Sequence, residues 1–127
     1  MKNLVDSSGW VEYFTTGANA RFFIDSIQDV ENLIVPTICL YEVFKRLLLD
    51  VGEESALQGV GVMSLGYEVG LNRALAVEAA RLSVELKLAM ADSIILATAR
   101  TQNAVLWTQD HHFQTIAGVR YFEKKQV

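Results

Sequence analysis

The chain has 127 residues, of which 51% are hydrophobic and 20% are charged, and its formal net charge at pH 7 is −4. This composition excludes an intrinsically disordered chain and is typical of one globular domain, which we place at residues 1–127. The negative charge argues against broad coating of nucleic acid by a basic surface, but it does not exclude a nuclease with a local metal site.

The first part of the chain is predicted to alternate short apolar strands with helices. In chain order we predict a strand, a turn, a helix, a strand and a helix, at residues 4–5, 6–9, 20–30, 33–35 and 37–49. Asn19 and Thr37 are the expected N-caps of the two helices, because their side-chain oxygens can accept hydrogen bonds from the first turn.

The second part continues this alternation. In chain order we predict a helix, a strand, two helices and two strands, at residues 53–63, 67–69, 73–86, 90–99, 104–107 and 119–122. Short apolar strands that alternate with helices predict an α/β fold with a mainly parallel sheet. In such sheets, sites form at the carboxyl ends of the strands.

The compartment is predicted from what the sequence lacks. A single cysteine, Cys39, cannot form an internal disulfide, and its apolar surroundings predict a buried, reduced thiol. The N-terminus has no apolar core of signal-peptide length, and no apolar run approaches the ~20 residues of a membrane span. We expect a cytoplasmic protein without a membrane segment.

Asp92 is the most informative residue of the chain. It lies at the start of an apolar run that places side chains on every side of a helix, which should therefore be buried. A buried carboxylate must be paired, hydrogen-bonded or bound to a metal, and no Lys or Arg lies within one helical turn of Asp92. A favourable interaction with the helix dipole is the simpler alternative.

Three other acids occupy comparable positions. Asp6 follows the first strand, Glu42 interrupts an apolar helix, and Asp110 follows the fourth strand. Each has a local explanation: a cap of the next turn for Asp6, a pair with Arg46 for Glu42, and an Asx-turn or the cap of a short helix for Asp110. A shared hard-cation site explains why all four should meet at one edge of the sheet, since Mg²⁺ and Mn²⁺ prefer oxygen ligands.

Four segments together carry a family resemblance. They are Leu-Val-Asp-Ser-Ser at residues 4–8, Glu42, Asp-Ser-Ile-Ile-Leu-Ala-Thr-Ala at residues 92–99, and Leu-Trp-Thr-Gln-Asp-His-His-Phe at residues 106–113. In this order they resemble the PIN-domain ribonucleases, most closely the VapC-type toxins of bacterial and archaeal toxin–antitoxin modules. The resemblance covers essentially the whole chain and implies a PIN-like three-layer α/β/α sandwich with four to five short strands.

The resemblance also implies an activity and a site. It implies an endoribonuclease toxin that cleaves structured RNA such as tRNA or rRNA to 5′-phosphate and 3′-hydroxyl ends. It further implies a homodimer and a cognate VapB-like antitoxin. By this resemblance four acids would hold Mg²⁺ or Mn²⁺, namely Asp6, Glu42, Asp92 and Asp110. The hydroxyls of Ser8 and Thr108 would support the site by hydrogen bonding.

The chain departs from this family pattern at His112, where members often carry a further Asp. Because His is a poorer ligand for Mg²⁺, His112 is expected to pack, to contact RNA or to influence the ligands indirectly. Arg46 and Arg100 could contact RNA phosphates, or could simply be solvated or ion-paired. His111 and His112 are unsuited to a metal-free acid–base mechanism, because adjacent residues on a turn rarely face the same point.

Other functions fit the residues less well. An aspartyl phosphatase usually has a second acid two residues after the first, and residues 6–8 lack it. A phosphate-accepting receiver domain would carry an acceptor Asp after the third strand, and residues 69–71 contain none. No Gly-rich phosphate loop is present. The principal alternative is a non-catalytic PIN-like module that binds protein or RNA.

Overall fold

Five short strands form one sheet in the computed structural model, which describes residues 1–125. The strands are β1 (Lys2–Val5), β2 (Leu33–Pro36), β3 (Tyr67–Val69), β4 (Ala104–Thr108) and β5 (Val119–Tyr121). All neighbouring pairs are parallel, and the order is β3-β2-β1-β4-β5. The predicted parallel α/β sheet is therefore confirmed. The predicted domain ends at residue 127, and residues 126–127 lie outside the described part.

Six helices connect these strands within the described residues. They are α1 (Ser7–Phe14), α2 (Arg21–Gln28), α3 (Thr37–Asp50), α4 (Glu53–Met63), α5 (Arg73–Leu86) and α6 (Met90–Thr101), with 3₁₀ turns at Val30–Asn32 and His111–Phe113. None of the helices within residues 1–125 has the length and apolar character of a membrane-spanning segment.

Three local predictions were wrong. The segment after β1 is not a free turn, because α1 begins there at Ser7. Asn19 does not cap α2: its side chain is fully buried and donates to Gln109 Oε1 at 3.0 Å and to the Glu123 carbonyl at 2.9 Å. Thr37 is the first residue of α3 rather than its cap, and α3 has no side-chain cap.

The strand order places a topological switch between β1 and β4. The chain first moves from β1 through β2 to β3 and then returns to the other side of β1 to form β4. Crossovers therefore leave β1 and β4 in opposite directions, which opens a crevice at their carboxyl ends. The residues that follow these two strands, Asp6 and residues 109–110, lie at this crevice.

Helix α6 is buried as its composition predicted. Ile94 to Ala99 are all buried, on every side of the helix. The largest fully buried side chains around the sheet include Trp10, Phe23 and Phe113. Cys39 is buried and unpaired, as expected. The N-terminus of α6 is thereby held firmly against the sheet, which positions Asp92.

Candidate active site

Asp6 is fixed at the carboxyl end of β1 by three hydrogen bonds. Its Oδ1 accepts from the Gly9 amide at 3.1 Å and from Ser8 Oγ at 2.7 Å, and its Oδ2 accepts from Thr108 Oγ1 at 2.8 Å. The residue is only 3% exposed. Burial is the main reason that the pKa of Asp6 rises to about 7, against the lowering effect of these hydrogen bonds.

The hydroxyls of Ser8 and Thr108 also tie the end of β1 to the end of β4. Ser8 Oγ accepts from the Gln109 amide at 3.2 Å, and Thr108 Oγ1 accepts from the Asp110 amide at 2.9 Å. Each hydroxyl thus donates to Asp6 while it accepts from the loop after β4. The position of Asp110 is consequently coupled to that of the Asp6 carboxylate.

Asp92 lies in the first turn of α6 and is half-buried. The N-cap of this helix is Ala89, without a side-chain hydrogen bond, so Asp92 is not the cap. The pKa of Asp92 is raised to about 6, mainly by burial and in part by the negative charges of Asp110 and Glu42, while His112 acts in the opposite direction. Two acids on other elements, Glu42 on α3 and Asp110 after β4, therefore act on Asp92 through space.

Asp110 and His112 meet in the turn after β4. Asp110 Oδ1 accepts from the His112 amide at 3.0 Å and lies 2.9 Å from His112 Nδ1. The same Nδ1 atom lies 3.6 Å from Asp92 Oδ2. His112 consequently faces two of the four predicted site acids.

Glu42 lies in the second turn of α3 and accepts a hydrogen bond from Ser7 Oγ at 2.6 Å. The expected alternative, a pair with Arg46, is wrong. Arg46 instead pairs with Asp50 at 3.0 Å. Because the Glu42 charge raises the pKa of Asp92, the two carboxylates lie close enough to interact through space.

A comparison with known families agrees with this geometry. The family model described as PIN domain matches residues 4–119. The chain belongs to the PIN-domain family. No curated protein sequence matches it.

Solved structures share this PIN-domain fold. A toxin–antitoxin complex from Klebsiella pneumoniae aligns with a TM-score of 0.78 and 22% identity over 94% of this chain and 96% of that chain. VapC20 from Mycobacterium tuberculosis, a sarcin-ricin loop cleaving toxin, aligns with a TM-score of 0.74 and 14% identity over 91% and 95%. DNA-bound VapBC from Salmonella typhimurium aligns with a TM-score of 0.75 and 18% identity over 96% of this chain and 97% of that chain. The expected PIN-like fold is confirmed.

The two arginines predicted to contact RNA lie in different places. Arg46 is 63% exposed and lies one turn beyond Glu42, beside the crevice, but it is engaged by Asp50. Arg100 lies in the last turn of α6, eight residues and about 12 Å along the helix axis from Asp92. The structure therefore does not bring Arg100 to the site.

Three residues that position the site were not identified from the sequence. Ser7 donates to Glu42, whereas Asn19 and Gln109 form a buried amide pair beneath the loop that carries Asp110. Ser7 was assigned to a turn, and the contact between Asn19 and Gln109 spans 90 residues. The only local signal in the sequence was Ser7, a serine that directly follows the acid Asp6 at the end of a strand.

The donor set of this PIN domain fits a hard divalent cation. Carboxylate oxygens come from four separate elements, and two of the carboxylates carry raised pKa values. Among residues 1–125, no Lys or Arg lies within 4.0 Å of any of the four carboxylates. Oxygen-rich negative charge without a Lys or Arg partner is the environment that Mg²⁺ and Mn²⁺ prefer in proteins.

Proposed function

We propose that this PIN-domain protein is a Mg²⁺- or Mn²⁺-dependent endoribonuclease toxin of the VapC type. The observation that supports the proposal is that the charge of Asp110 acts on both Asp6 and Asp92 and that of Glu42 acts on Asp92, with no Lys or Arg within 4.0 Å of these carboxylates among residues 1–125. An acidic crevice repels a phosphodiester unless a cation is bound there. The site therefore makes chemical sense as a place where an ion and a phosphodiester meet.

The residues of the chain would orient this site. Ser8, Thr108 and the Gly9 amide fix both oxygens of Asp6, and Ser7 fixes one oxygen of Glu42. A bound Mg²⁺ or Mn²⁺ supplies a water molecule of lowered pKa and neutralises phosphate oxygens. The preformed hydrogen bonds reduce the cost of ordering the carboxylates around their ligand.

The metal site can be tested by calorimetric titration of Mn²⁺ into single variants. Asp6→Asn, Glu42→Gln, Asp92→Asn and Asp110→Asn should each lower the affinity by about tenfold or more, since each removes a charged oxygen ligand. Asp25→Asn, at an exposed position of α2, is the matched control and should leave the affinity unchanged. Parental affinity in all four site variants would exclude a shared site.

RNA is the substrate class that we propose, with structured RNA such as tRNA or rRNA as the target. The relative described as a sarcin-ricin loop cleaving toxin supports this class. The net charge of −4 predicts weak nonspecific attraction to polyanions, so selection would depend on the shape of the RNA near the site.

A VapB-like antitoxin is the partner that we propose for the crevice. The Klebsiella and Salmonella relatives are described as a toxin–antitoxin complex and as VapBC. Beside Glu42, the exposed side chains of Tyr41 and Leu49 border a cavity of about 200 Å³. A basic antitoxin side chain could reach the acids while an apolar segment packs on this surface.

A second copy of the chain is the partner that we propose for the other apolar face. Between α5 and α6 lies a groove of about 330 Å³ that includes Ala80 and Met90. Val77, Val84 and Met90 are 53%, 81% and 73% exposed. Exposed apolar side chains at a groove are typical of an interaction surface.

Sedimentation velocity tests both partners. The chain alone should sediment as a homodimer at micromolar concentration, and addition of co-purified antitoxin should produce a larger complex. Val84→Asp should yield monomers because it places a charge in the α5 face. Leu57→Asp, at a position of α4 that is 56% exposed, should remain dimeric. A parent that is monomeric without antitoxin, or a dimer that Val84→Asp leaves intact, would contradict this surface assignment.

A further inference from the structure

We propose that His112 supplies a nitrogen ligand to the metal site, so that this site favours Mn²⁺, Co²⁺ and Ni²⁺ over Mg²⁺. The inference rests on the proposed metal site and concerns its selectivity. Its basis is the position of one atom, His112 Nδ1, between the carboxylates of Asp110 and Asp92.

The spacing of His112 Nδ1 and Asp110 Oδ1 matches that of neighbouring ligands on one ion. Two ligands at about 2.1 Å from an octahedral ion and 90° apart lie about 3.0 Å from each other. His112 Nδ1 lies 2.9 Å from Asp110 Oδ1 and 3.6 Å from Asp92 Oδ2. An ion could therefore contact His112 Nδ1 and Asp110 Oδ1 as they lie, whereas the Asp92 side chain would have to move towards it.

The backbone holds His112 in this place. The residue is the middle one of the 3₁₀ turn at His111–Phe113, and its amide donates to Asp110 Oδ1 at 3.0 Å. Phe113, the next residue, is fully buried and anchors the turn in the core. The ring of His111 lies with its centroid 4.2 Å from that of His112. The imidazole of His112 is therefore carried by an ordered turn.

The chemistry of imidazole then determines the preference. Mg²⁺ favours carboxylate and water oxygens, whereas imidazole nitrogen stabilises later divalent ions in the order Mn²⁺, Co²⁺, Ni²⁺. One nitrogen among several carboxylates leaves Mg²⁺ binding possible but weakens it relative to these ions. In the competing arrangement, His112 only hydrogen-bonds to Asp110 and the ion has oxygen ligands alone.

His111 provides a matched comparison within the same turn. Its side chain is 75% exposed and its Nδ1 lies 3.9 Å from Asp110 Oδ1. Within the described residues it makes no ion pair with Asp92. A variant at His111 therefore removes one imidazole from the turn without removing the nitrogen that faces both acids.

Calorimetric titrations of Co²⁺ and Mg²⁺ into the parent, His112→Asp and His111→Gln test the preference without any measurement of cleavage. In His112→Asp the ratio of Co²⁺ to Mg²⁺ affinity should fall by about tenfold or more, and Mg²⁺ should bind more tightly. His111→Gln should retain the parental ratio. An unchanged ratio in His112→Asp, or a ratio lost only in His111→Gln, would overturn the inference.

Electron spin-echo spectroscopy of bound Mn²⁺ gives a second measurement, because it detects a directly bound imidazole nitrogen. We expect the nitrogen modulation in the parent and in His111→Gln, and its loss in His112→Asp. Asp92→Asn should weaken Co²⁺ binding. Co²⁺ affinity that does not depend on Asp92 would mean that the ion binds the exposed histidines alone, and would contradict the inference.

These outcomes also separate this inference from the proposed function. If Mn²⁺ binds through the four carboxylates but neither the affinity ratio nor the nitrogen modulation depends on residue 112, only the role of His112 is excluded. If no divalent ion binds the parent, the proposed metal-dependent function fails as well.

Discussion

Replacing Asp92 with Asn should reduce RNA cleavage by orders of magnitude and leave the metal-free protein equally or more stable. The carboxylate is half-buried, and the charges of Asp110 and Glu42 act unfavourably on it. Removing its charge should therefore raise the free energy of unfolding in EDTA at pH 7 by about 1 kcal/mol. Cleavage should be lost because the site loses a charged ligand for the ion that activates water.

Paired thermal melts and cleavage assays of the parent and the variant measure both effects. Asp25→Asn provides the control, because it makes the same chemical change at an exposed position of α2. A variant that keeps parental cleavage would remove Asp92 from the site. A clear loss of stability in EDTA would instead indicate that the Asp92 charge stabilises α6, as expected for an acid favoured by the helix dipole.

In EDTA, the free energy of unfolding should fall as the pH rises from about 4 to about 7. The pKa of Asp6 rises from 3.8 to about 7 in the folded protein and that of Asp92 rises to about 6, mainly through burial. The folded state therefore binds protons more tightly than the unfolded chain in this range, so each deprotonation favours unfolding. For Asp6 alone the effect should reach about 4 kcal/mol at most.

Urea unfolding at pH 5 and pH 8 in EDTA measures this dependence of the free energy of unfolding on pH. Asp6 is the N-cap of α1, where its side chain accepts from the Gly9 amide. Asp6→Asn should reduce the pH dependence, because Asn can keep this cap while the titrating group is removed. Saturating Mn²⁺ should also reduce it, since the ion stabilises the ionised carboxylates of the folded state. A parent that is more stable at pH 8 than at pH 5 in EDTA would contradict the buried, uncompensated carboxylates of this site.

Much of the fold follows from local patterns in the sequence. Short runs of strand-forming residues predicted all five strands. The apolar pattern is clearest in β2, which is buried throughout, as expected for a strand inside a parallel sheet. The continuous apolar run after Asp92 predicted a helix buried on all sides, and this prediction is confirmed. The parallel sheet also predicted that Asp6 and Asp110 lie at the same edge, since the carboxyl ends of all its strands lie together.

Helix α1 was missed because the residues at its start are found both in turns and at the beginning of helices. Ser7, Ser8 and Gly9 favour turns, and Asp6 favours either a turn or a helix cap. Gly9 serves close packing instead: a Cβ at this position would lie 2.6 Å from Val5 Cγ1 and 2.8 Å from the Phe23 ring. Such a contact depends on tertiary structure and leaves no local pattern in the sequence.

The polar contacts around the site could not be predicted for a similar reason. Asn19 has the residue type and position of a helix cap, but its amide is used by Gln109 and Glu123, 90 and 104 residues away. Arg46 has acids one turn before it and one turn after it, and spacing alone does not decide between them. The structure selects Asp50 and leaves Glu42 to the crevice.

The most direct test is cleavage of structured RNA by the purified chain in Mn²⁺, in excess EDTA, and after Mn²⁺ is restored. Asp92→Asn, purified in parallel, reports any contaminating nuclease. We predict cleavage in Mn²⁺, its loss in EDTA, its recovery when Mn²⁺ is restored, and none from the variant. Equal cleavage in EDTA would contradict a metal-dependent reaction. RNA binding without cleavage, by a chain that binds Mn²⁺, would contradict the nuclease and favour a non-catalytic interaction module.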